Sequence, residues 1–168
     1  IILALLTFLP WLGVKAQFNT SRLIISGRSA LYYEDYVLSI QYFNQAITAK
    51  PHLYEPWFYR GLAKFYLDDF EGAEDDVTHA IELNPYISNM YELRGLARIR
   101  TKNFTGAISD YDHSLAINPH NQSAWYNRAL CRVETKDYDR AQLDLDTITT
   151  KWKKFAGAYS MKAEVFLM

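Results

Sequence analysis

The chain has 168 residues, of which 49% are apolar and 15% aromatic, and its formal net charge is -1. A charge so close to zero gives no basic surface for nucleic acid and no polybasic signal for anionic lipid. The five prolines and seven glycines are few for this length, and such a composition favours long helices over a turn-rich β-sandwich.

The amino-terminal segment is apolar. Residues 1–9 form an almost unbroken apolar run, and small side chains at Val14 and Ala16 fit the specificity pocket of a signal peptidase. Residues 1–16 therefore resemble a secretory signal peptide cleaved after Ala16, and we expect export to the periplasm or outside a bacterial cell. The run is shorter than the roughly 20 apolar residues that cross a bilayer, so no membrane span is expected after cleavage. A buried helix of the domain and an uncleaved anchor are the alternatives.

Both ends of the sequence indicate a fragment of a longer protein. The chain opens with Ile1, without the basic region that leads a signal peptide. It closes on the apolar run 165–168, without a signal for the end of a helix. We therefore expect further sequence on both sides.

A 34-residue internal repeat organises the rest of the chain. Pro51, Pro85 and Pro119 are each 34 residues apart, and four further columns keep that spacing. Apart from Ile148, these columns hold small or aromatic side chains: Gly27, Gly61, Gly95 and Ala129; Ser39, Ala73, Ala107 and Ala141; Ala46, Ala80, Ser114 and Ile148; and Tyr36, Phe70, Phe104 and Tyr138. A fixed period of this kind indicates stacked supersecondary units.

Each unit contains two apolar-periodic segments joined by a polar turn. The spacing of Ala73, Val77 and Ala80 is that of one buried helix face. The small columns are expected where two helices cross, because a larger side chain there would push them apart. The prolines are expected just after helix ends, because the residue before a proline avoids the α region.

These columns resemble the tetratricopeptide-repeat family. The closest agreement is in residues 57–85, which carry Trp57, Gly61, Phe70, Ala73, Ala80 and Pro85 at the family spacings. The resemblance implies an all-α fold, a right-handed α-solenoid of antiparallel helix pairs over residues 20–168, with a short segment 17–19 before it. The implied units are 20–53, 54–87, 88–121, 122–155 and a partial unit 156–168.

Three arginines stand where the family usually has leucine. Each is followed 16 residues later, in the second helix of the pair, by an aspartate: Arg60 with Asp76, Arg94 with Asp110, and Arg128 with Asp144. The same two columns hold Ser26 and Tyr42 in the first unit, so arginine and aspartate occur together or not at all. We interpret them as structural ion pairs between helices, and a ligand-binding role for the arginines is the alternative.

The resemblance also implies a binding surface. In the family the first helix of each pair lines a concave groove, and the matching side chains are Phe58, Tyr59, Leu62, Phe65, Tyr66, Glu92, Leu93, Leu96, Ile99, Tyr126, Asn127, Leu130 and Val133. Packing between units is the alternative role for the leucine column. The family's clamp for acidic carboxy-terminal tails is not matched, since its positions hold Ile24, Arg28, Tyr59, Asn89 and Leu93.

The expected function is that of a non-catalytic scaffold that binds a protein or peptide. No phosphate loop, dinucleotide fingerprint or hydrolase motif is present, so no catalytic residue, metal or cofactor is expected. The single cysteine, Cys131, falls in a small, helix-facing column and is expected to be a buried, inert thiol. Two alternatives remain: the repeat portion of a larger envelope enzyme whose catalytic domain lies beyond residue 168, and self-assembly through the ends of the array.

Overall fold

The computed structural model describes residues 9–167, with side-chain burial described from Thr20 onward. These residues form nine α-helices and no β-strand, so the predicted all-α fold class is confirmed. The helices are α1 Leu9–Tyr32, α2 Tyr36–Ala49, α3 Tyr54–Tyr66, α4 Phe70–Leu83, α5 Ser88–Arg100, α6 Phe104–Ile117, α7 Gln122–Glu134, α8 Tyr138–Lys151 and α9 Ala156–Phe166.

The helix boundaries follow the 34-residue period. Helices α3, α5 and α7 have 13 residues each and begin at residues 54, 88 and 122, the first residues of three predicted units. Helix α1 is longer, with 24 residues, and runs without a break through the segment 17–19 and the predicted cleavage site. No proline or glycine stands between Val14 and Ser26 to end it. Cleavage after Ala16 stays a prediction.

The helices form two compact bodies, which are described separately. Among the described residues, the first ends at Leu83 and the second begins at Asn84. In the first body α1 packs on α2, α2 on α3 and α3 on α4, and in the second each helix from α5 to α9 packs on the next. Consecutive packing of this kind is that of a helical repeat, in which each pair buries its apolar faces against its neighbours.

Within each pair the turn is made without glycine. The residue before the second helix's N-cap has a left-handed backbone in all four pairs, with φ between 60° and 62°: Glu34, Asp68, Lys102 and Lys136. The amide of the following residue closes the first helix by bonding a carbonyl five residues back, as Asn103 does to Arg98 at 2.7 Å. Asn103 then caps α6 by accepting a hydrogen bond from the Gly106 amide at 3.0 Å.

An aromatic side chain fixes the entry to each later pair. Trp57 and Trp125 donate from Nε1 to the carbonyls of Pro51 and Pro119, at 2.9 and 3.0 Å. The repeat that has Tyr91 in this column keeps the interaction, because the tyrosine hydroxyl donates to the Pro85 carbonyl at 3.1 Å. The proline turn is therefore tied to the helix that follows it.

The small columns lie where the two helices of a pair cross. A methyl group at Gly27 would lie 2.6 Å from Cε1 of Phe43, whose ring is fully buried. In the last pair the same two columns hold Ala129 and Leu145, which belong to one buried cluster. Where the first helix carries alanine instead of glycine at this crossing, the second helix carries leucine instead of the larger phenylalanine.

The crossing predicts the effect of adding one methyl group. Gly27→Ala is expected to destabilise the protein by about 1–2 kcal/mol, because overpacking costs about 1–3 kcal/mol and improved helix propensity offsets up to about 1. Adding Phe43→Leu, which copies the pair of Ala129 and Leu145, should recover part of that loss. Urea unfolding of the two variants measures both effects.

The matched control is Gly157→Ala on α9, where a methyl group would lie 3.5 Å from the Tyr126 hydroxyl, an ordinary contact. That variant is expected to keep or gain stability. Equal effects of the two glycine substitutions would contradict the steric explanation.

Candidate functional site

The structure brings together the members of each predicted ion pair. Arg60 donates from Nε and Nη2 to the two carboxylate oxygens of Asp76, at 2.8 and 2.6 Å. The other two pairs repeat this contact, with Nη2–Oδ1 distances of 2.6 Å for Arg94 and Asp110 and 2.7 Å for Arg128 and Asp144. The three carboxylates are between 1% and 3% exposed, so solvent screens these paired hydrogen bonds very little.

A second cation, which was not predicted from the sequence, reaches each carboxylate. Four residues after each arginine stand Lys64, Arg98 and Arg132. They lie 2.9, 2.9 and 2.6 Å from the second oxygen of the same three aspartates. The i, i+4 spacing places both cations on one helix face. The second cation could have been predicted from this spacing, because the first unit lacks the aspartate and has Ala30 in the column of Lys64, Arg98 and Arg132.

The arginine column also connects neighbouring pairs. Nη1 of Arg60 donates to Oδ1 of Asn44 on α2 at 2.6 Å. Nη1 of Arg128 makes the equivalent contact with Asp112 on α6, also at 2.6 Å. Lys162 continues the column on α9 and pairs with an aspartate on α8, Asp146. A cation in this column therefore spans two helix pairs.

The environment of Arg128 shows how these contacts combine. Burial acts to lower the pKa of its guanidinium, but hydrogen bonds and charge from Asp144 and Asp112 outweigh burial and raise it. The guanidinium carbon also lies 4.7 Å from the ring centroid of Trp125. Two aspartates and an aromatic ring already contact the guanidinium of Arg128. These contacts favour the structural role of this arginine over ligand binding.

The predicted groove side chains on α3 divide into two groups. Three pack on neighbouring helices: Tyr59 on Phe43 with 5.8 Å between ring centroids, Tyr66 on Tyr36 with 5.1 Å, and Phe65 on Phe70 with 5.4 Å. Phe58 and Leu62 are half-buried. Tyr66 keeps 55% of its surface exposed despite its stacking partner. The first body therefore offers a partly open apolar surface at Phe58, Leu62 and Tyr66.

The second body uses more of its predicted groove residues for packing. Leu93 is 5% exposed, and Ile99 packs against the buried cluster that contains Tyr111 and Leu115. Three residues of α7 pack against the cluster formed by α7, α8 and α9: Tyr126, Leu130 and Val133. Packing, the alternative role for the leucine column, thus accounts for Leu130. Glu92, Leu96 and Asn127 are half-buried and outside these clusters.

A group of exposed tyrosines was not predicted. Tyr32 ends α1 and Tyr33 begins the turn after it; they are 82% and 77% exposed and meet edge to face at 5.3 Å. Tyr36 follows at the start of α2 and stacks on Tyr66. The repeat columns gave no signal for this group, because the column of Tyr32 continues with Tyr66, Arg100 and Glu134.

Residues 9–167 contain neither a metal-binding cluster nor a membrane-spanning helix. No group of three or more His, Cys, Asp or Glu side chains there is arranged to hold a metal ion. No helix in that range has the length and hydropathy needed to cross a membrane. Cys131 is buried, and burial raises the pKa of its thiol to about 12, so little reactive thiolate forms at neutral pH.

The ion-pair geometry predicts strong coupling between Arg94 and Asp110. In a double-mutant cycle with alanine, the coupling is expected near 2 kcal/mol, within the roughly 0.5–3 kcal/mol found for contacting residues. The reason is that breaking a buried pair leaves a charge without compensation. The exposed pair Arg140 and Asp137, at 3.3 Å, is the control and should couple by less than about 1 kcal/mol. Additive effects of the Arg94 and Asp110 substitutions in urea unfolding would contradict this account.

Comparisons with known proteins agree with this architecture. A family model described as tetratricopeptide repeat matches residues 110–143. The crystal structure of the MamA protein aligns with a TM-score of 0.84 at 17% identity, covering 88% of this chain and 81% of that one. YrrB, described as a TPR protein with an unusual peptide-binding site, aligns with a TM-score of 0.81 at 11% identity, covering 86% and 75%.

A third structure contains a ligand. The second TPR domain of the human RPAP3 protein, in complex with the HSP70 peptide SGPTIEEVD, aligns with a TM-score of 0.67 at 22% identity, covering 70% of this chain and 98% of that domain. No curated protein sequence matches the chain. The 34-residue columns, the family-model match over residues 110–143 and the shared fold together support the predicted tetratricopeptide-repeat architecture.

Proposed function

We propose that this chain is a non-catalytic module that binds a segment of another protein through the first helices of its repeat pairs. The observation that carries the proposal is the character of those helices. Their arginines are occupied between helices, whereas Phe58, Leu62 and Leu96 remain half-buried at groove positions. Solved structures of this fold include the RPAP3 domain in complex with a peptide, which supports a peptide segment as the ligand.

The ligand we propose is apolar rather than acidic. The RPAP3 peptide ends in Glu-Glu-Val-Asp, a strongly acidic tail. In the first body the groove positions of α1 and α3 offer one cation, Arg28, and its guanidinium already lies 5.1 Å from the ring centroid of Tyr59. One partly engaged cation cannot offset the desolvation of several carboxylates. An amphipathic helix or extended segment with spaced apolar anchors fits these surfaces better.

This proposal predicts which peptides bind. An amphipathic apolar peptide should bind with weak salt dependence, because little of its contact is ionic, and SGPTIEEVD should not bind. Leu96→Glu is expected to weaken binding of the apolar peptide by about tenfold or more, since it places a charge in an apolar contact. Fluorescence anisotropy at low and high salt gives both results.

Ser109→Glu is the control, because it introduces the same charge at an exposed position on α6 of the same body. Salt-sensitive binding of SGPTIEEVD alone would overturn the proposal, and so would full affinity of the Leu96→Glu variant. Light scattering on the same samples tests the self-assembly alternative, which predicts a molecular mass that rises with protein concentration.

We also propose that the protein is exported after cleavage at Ala16. The support is the apolar run 1–9 followed by small side chains at Val14 and Ala16. Cleavage there would leave Gln17–Tyr32 of α1, which is 16 residues and three more than the 13 of α3, α5 and α7. The shortened helix would be closer in length to the other first helices than the 24-residue α1 is.

Export predicts a defined amino terminus. When the full-length gene is expressed in its own host, sequencing of the mature protein should begin at Gln17, and the protein should fractionate outside the cytosol. Ala16→Asp, which puts a charge where the peptidase requires a small residue, should prevent cleavage. A cytosolic protein that keeps residues 1–16 would refute the proposal.

A further inference from the structure

Glu92 is a carboxylate that the repeat architecture does not use. It stands in a column that otherwise holds Ile24, Phe58 and Tyr126, all apolar or aromatic. Its side chain is half-buried on α5, and its described contact is a hydrogen bond from the Ser114 hydroxyl at 3.4 Å, which is long for an O–H donor. No cation within residues 9–167 pairs with it in the way that two cations pair with Asp110. A partly desolvated charge without a counter-charge is costly.

A buried hydroxyl lies beside this carboxylate. Tyr111 is 0% exposed, and its hydroxyl oxygen has no hydrogen-bond partner among the described residues. The ring crosses α5 at Gly95, with Cζ, which carries the hydroxyl, 2.9 Å from the position a methyl group would take there. Ser114 is three residues after Tyr111 and Gly95 three after Glu92, so these groups share the facing sides of α5 and α6.

The third side of this cluster is formed by α7. Burial raises the pKa of the Tyr111 hydroxyl far above its ordinary value, and Cys131 and Glu92 raise it further. The Asn127 side chain lies near enough for hydrogen bonding of less than ideal geometry to the same hydroxyl, and this acts to lower the pKa. The hydroxyl therefore keeps its proton at any physiological pH, next to an amide and an unpaired carboxylate.

The first body shows that this polarity is not needed for packing. The residues two repeats before Glu92, Tyr111 and Asn127 are Ile24, Phe43 and Tyr59. The last two stack at 5.8 Å between ring centroids. The equivalent position is thus occupied by one aliphatic and two aromatic side chains in the first body and by three side chains with polar groups in the second.

We propose that Glu92 and Asn127, which are half-buried on α5 and α7, form a polar subsite that receives a lysine or arginine side chain from the bound segment. This inference rests on the proposed binding function. Glu92 supplies the counter-charge, and the amide oxygen of Asn127 accepts a further N–H group of the ammonium or guanidinium. The hydroxyl of Tyr111 is 0% exposed and does not contact the ligand. The ligand is then an apolar segment with one basic residue, the opposite of an acidic tail.

The test uses the amphipathic apolar peptide in three versions, with Lys, Gln or Glu at one central position, and the full chain. The Lys version is expected to bind about tenfold more tightly than the Gln version, as for a hydrogen bond to a charged group. Glu92→Gln should abolish this preference, and Glu92→Lys should transfer it to the Glu version. Glu134→Gln, at the exposed end of α7, should leave it unchanged.

The outcomes separate the subsite from the binding function. Equal affinity of the Lys and Gln versions for the unaltered chain overturns the subsite and leaves peptide binding standing, whereas absence of binding by every version overturns both. Tyr111→Phe is a second control: because the hydroxyl is 0% exposed and does not contact the ligand, this variant should keep the full preference for Lys. Loss of the preference in Tyr111→Phe together with its retention in Glu92→Gln would overturn the subsite.

Discussion

The fold depends on a buried carboxylate held between two cations of the facing helix. Asp76, Asp110 and Asp144 have almost no exposed surface, and each lies within 3 Å of two cationic groups four residues apart on the first helix of its pair. A buried charge that lost its partner would cost about 3–5 kcal/mol. The contact therefore favours one register and one rotation of the second helix against the first. The first pair lacks this contact and is joined by the Ser39 hydroxyl, which donates to the Gly27 carbonyl at 2.9 Å.

This arrangement decides the character of the accessible surface. The cations of the first helices donate hydrogen bonds to acidic side chains on neighbouring helices, as Arg128 does to Asp112. The side chains left at the groove positions are therefore mainly apolar and aromatic. Such a surface recognises a partner by burying apolar area, which gives affinity with little dependence on charge. A polar group on an apolar binding surface loses water when the surface is covered, and this is costly unless a hydrogen-bonding or charged partner replaces the water. Glu92 is such a group, and its described contact is the long hydrogen bond from the Ser114 hydroxyl.

The same repeat position is used differently in different units. The column of Leu62, Leu96 and Leu130 is half-buried throughout, but Leu130 packs against the cluster that α9 helps to form. The column of Tyr59, Leu93 and Asn127 varies even more, from a stacked ring to a buried leucine to an amide. A residue therefore cannot be assigned to a binding surface by its column alone, because its neighbours on the adjacent helices decide how much of it stays accessible.

The sequence by itself determined the period, the helix pairs, the positions of the crossings and the partners of the three arginines. Each of these is a local or periodic property, and the 34-residue spacing repeats it often enough to be read from one chain. Only the tertiary structure showed the second cation on each aspartate, the continuous helix through residues 17–19, and the division of the groove residues between packing and surface. These depend on which side chains of separate helices meet and on how much volume they fill, and neither quantity is encoded in the period of the repeat.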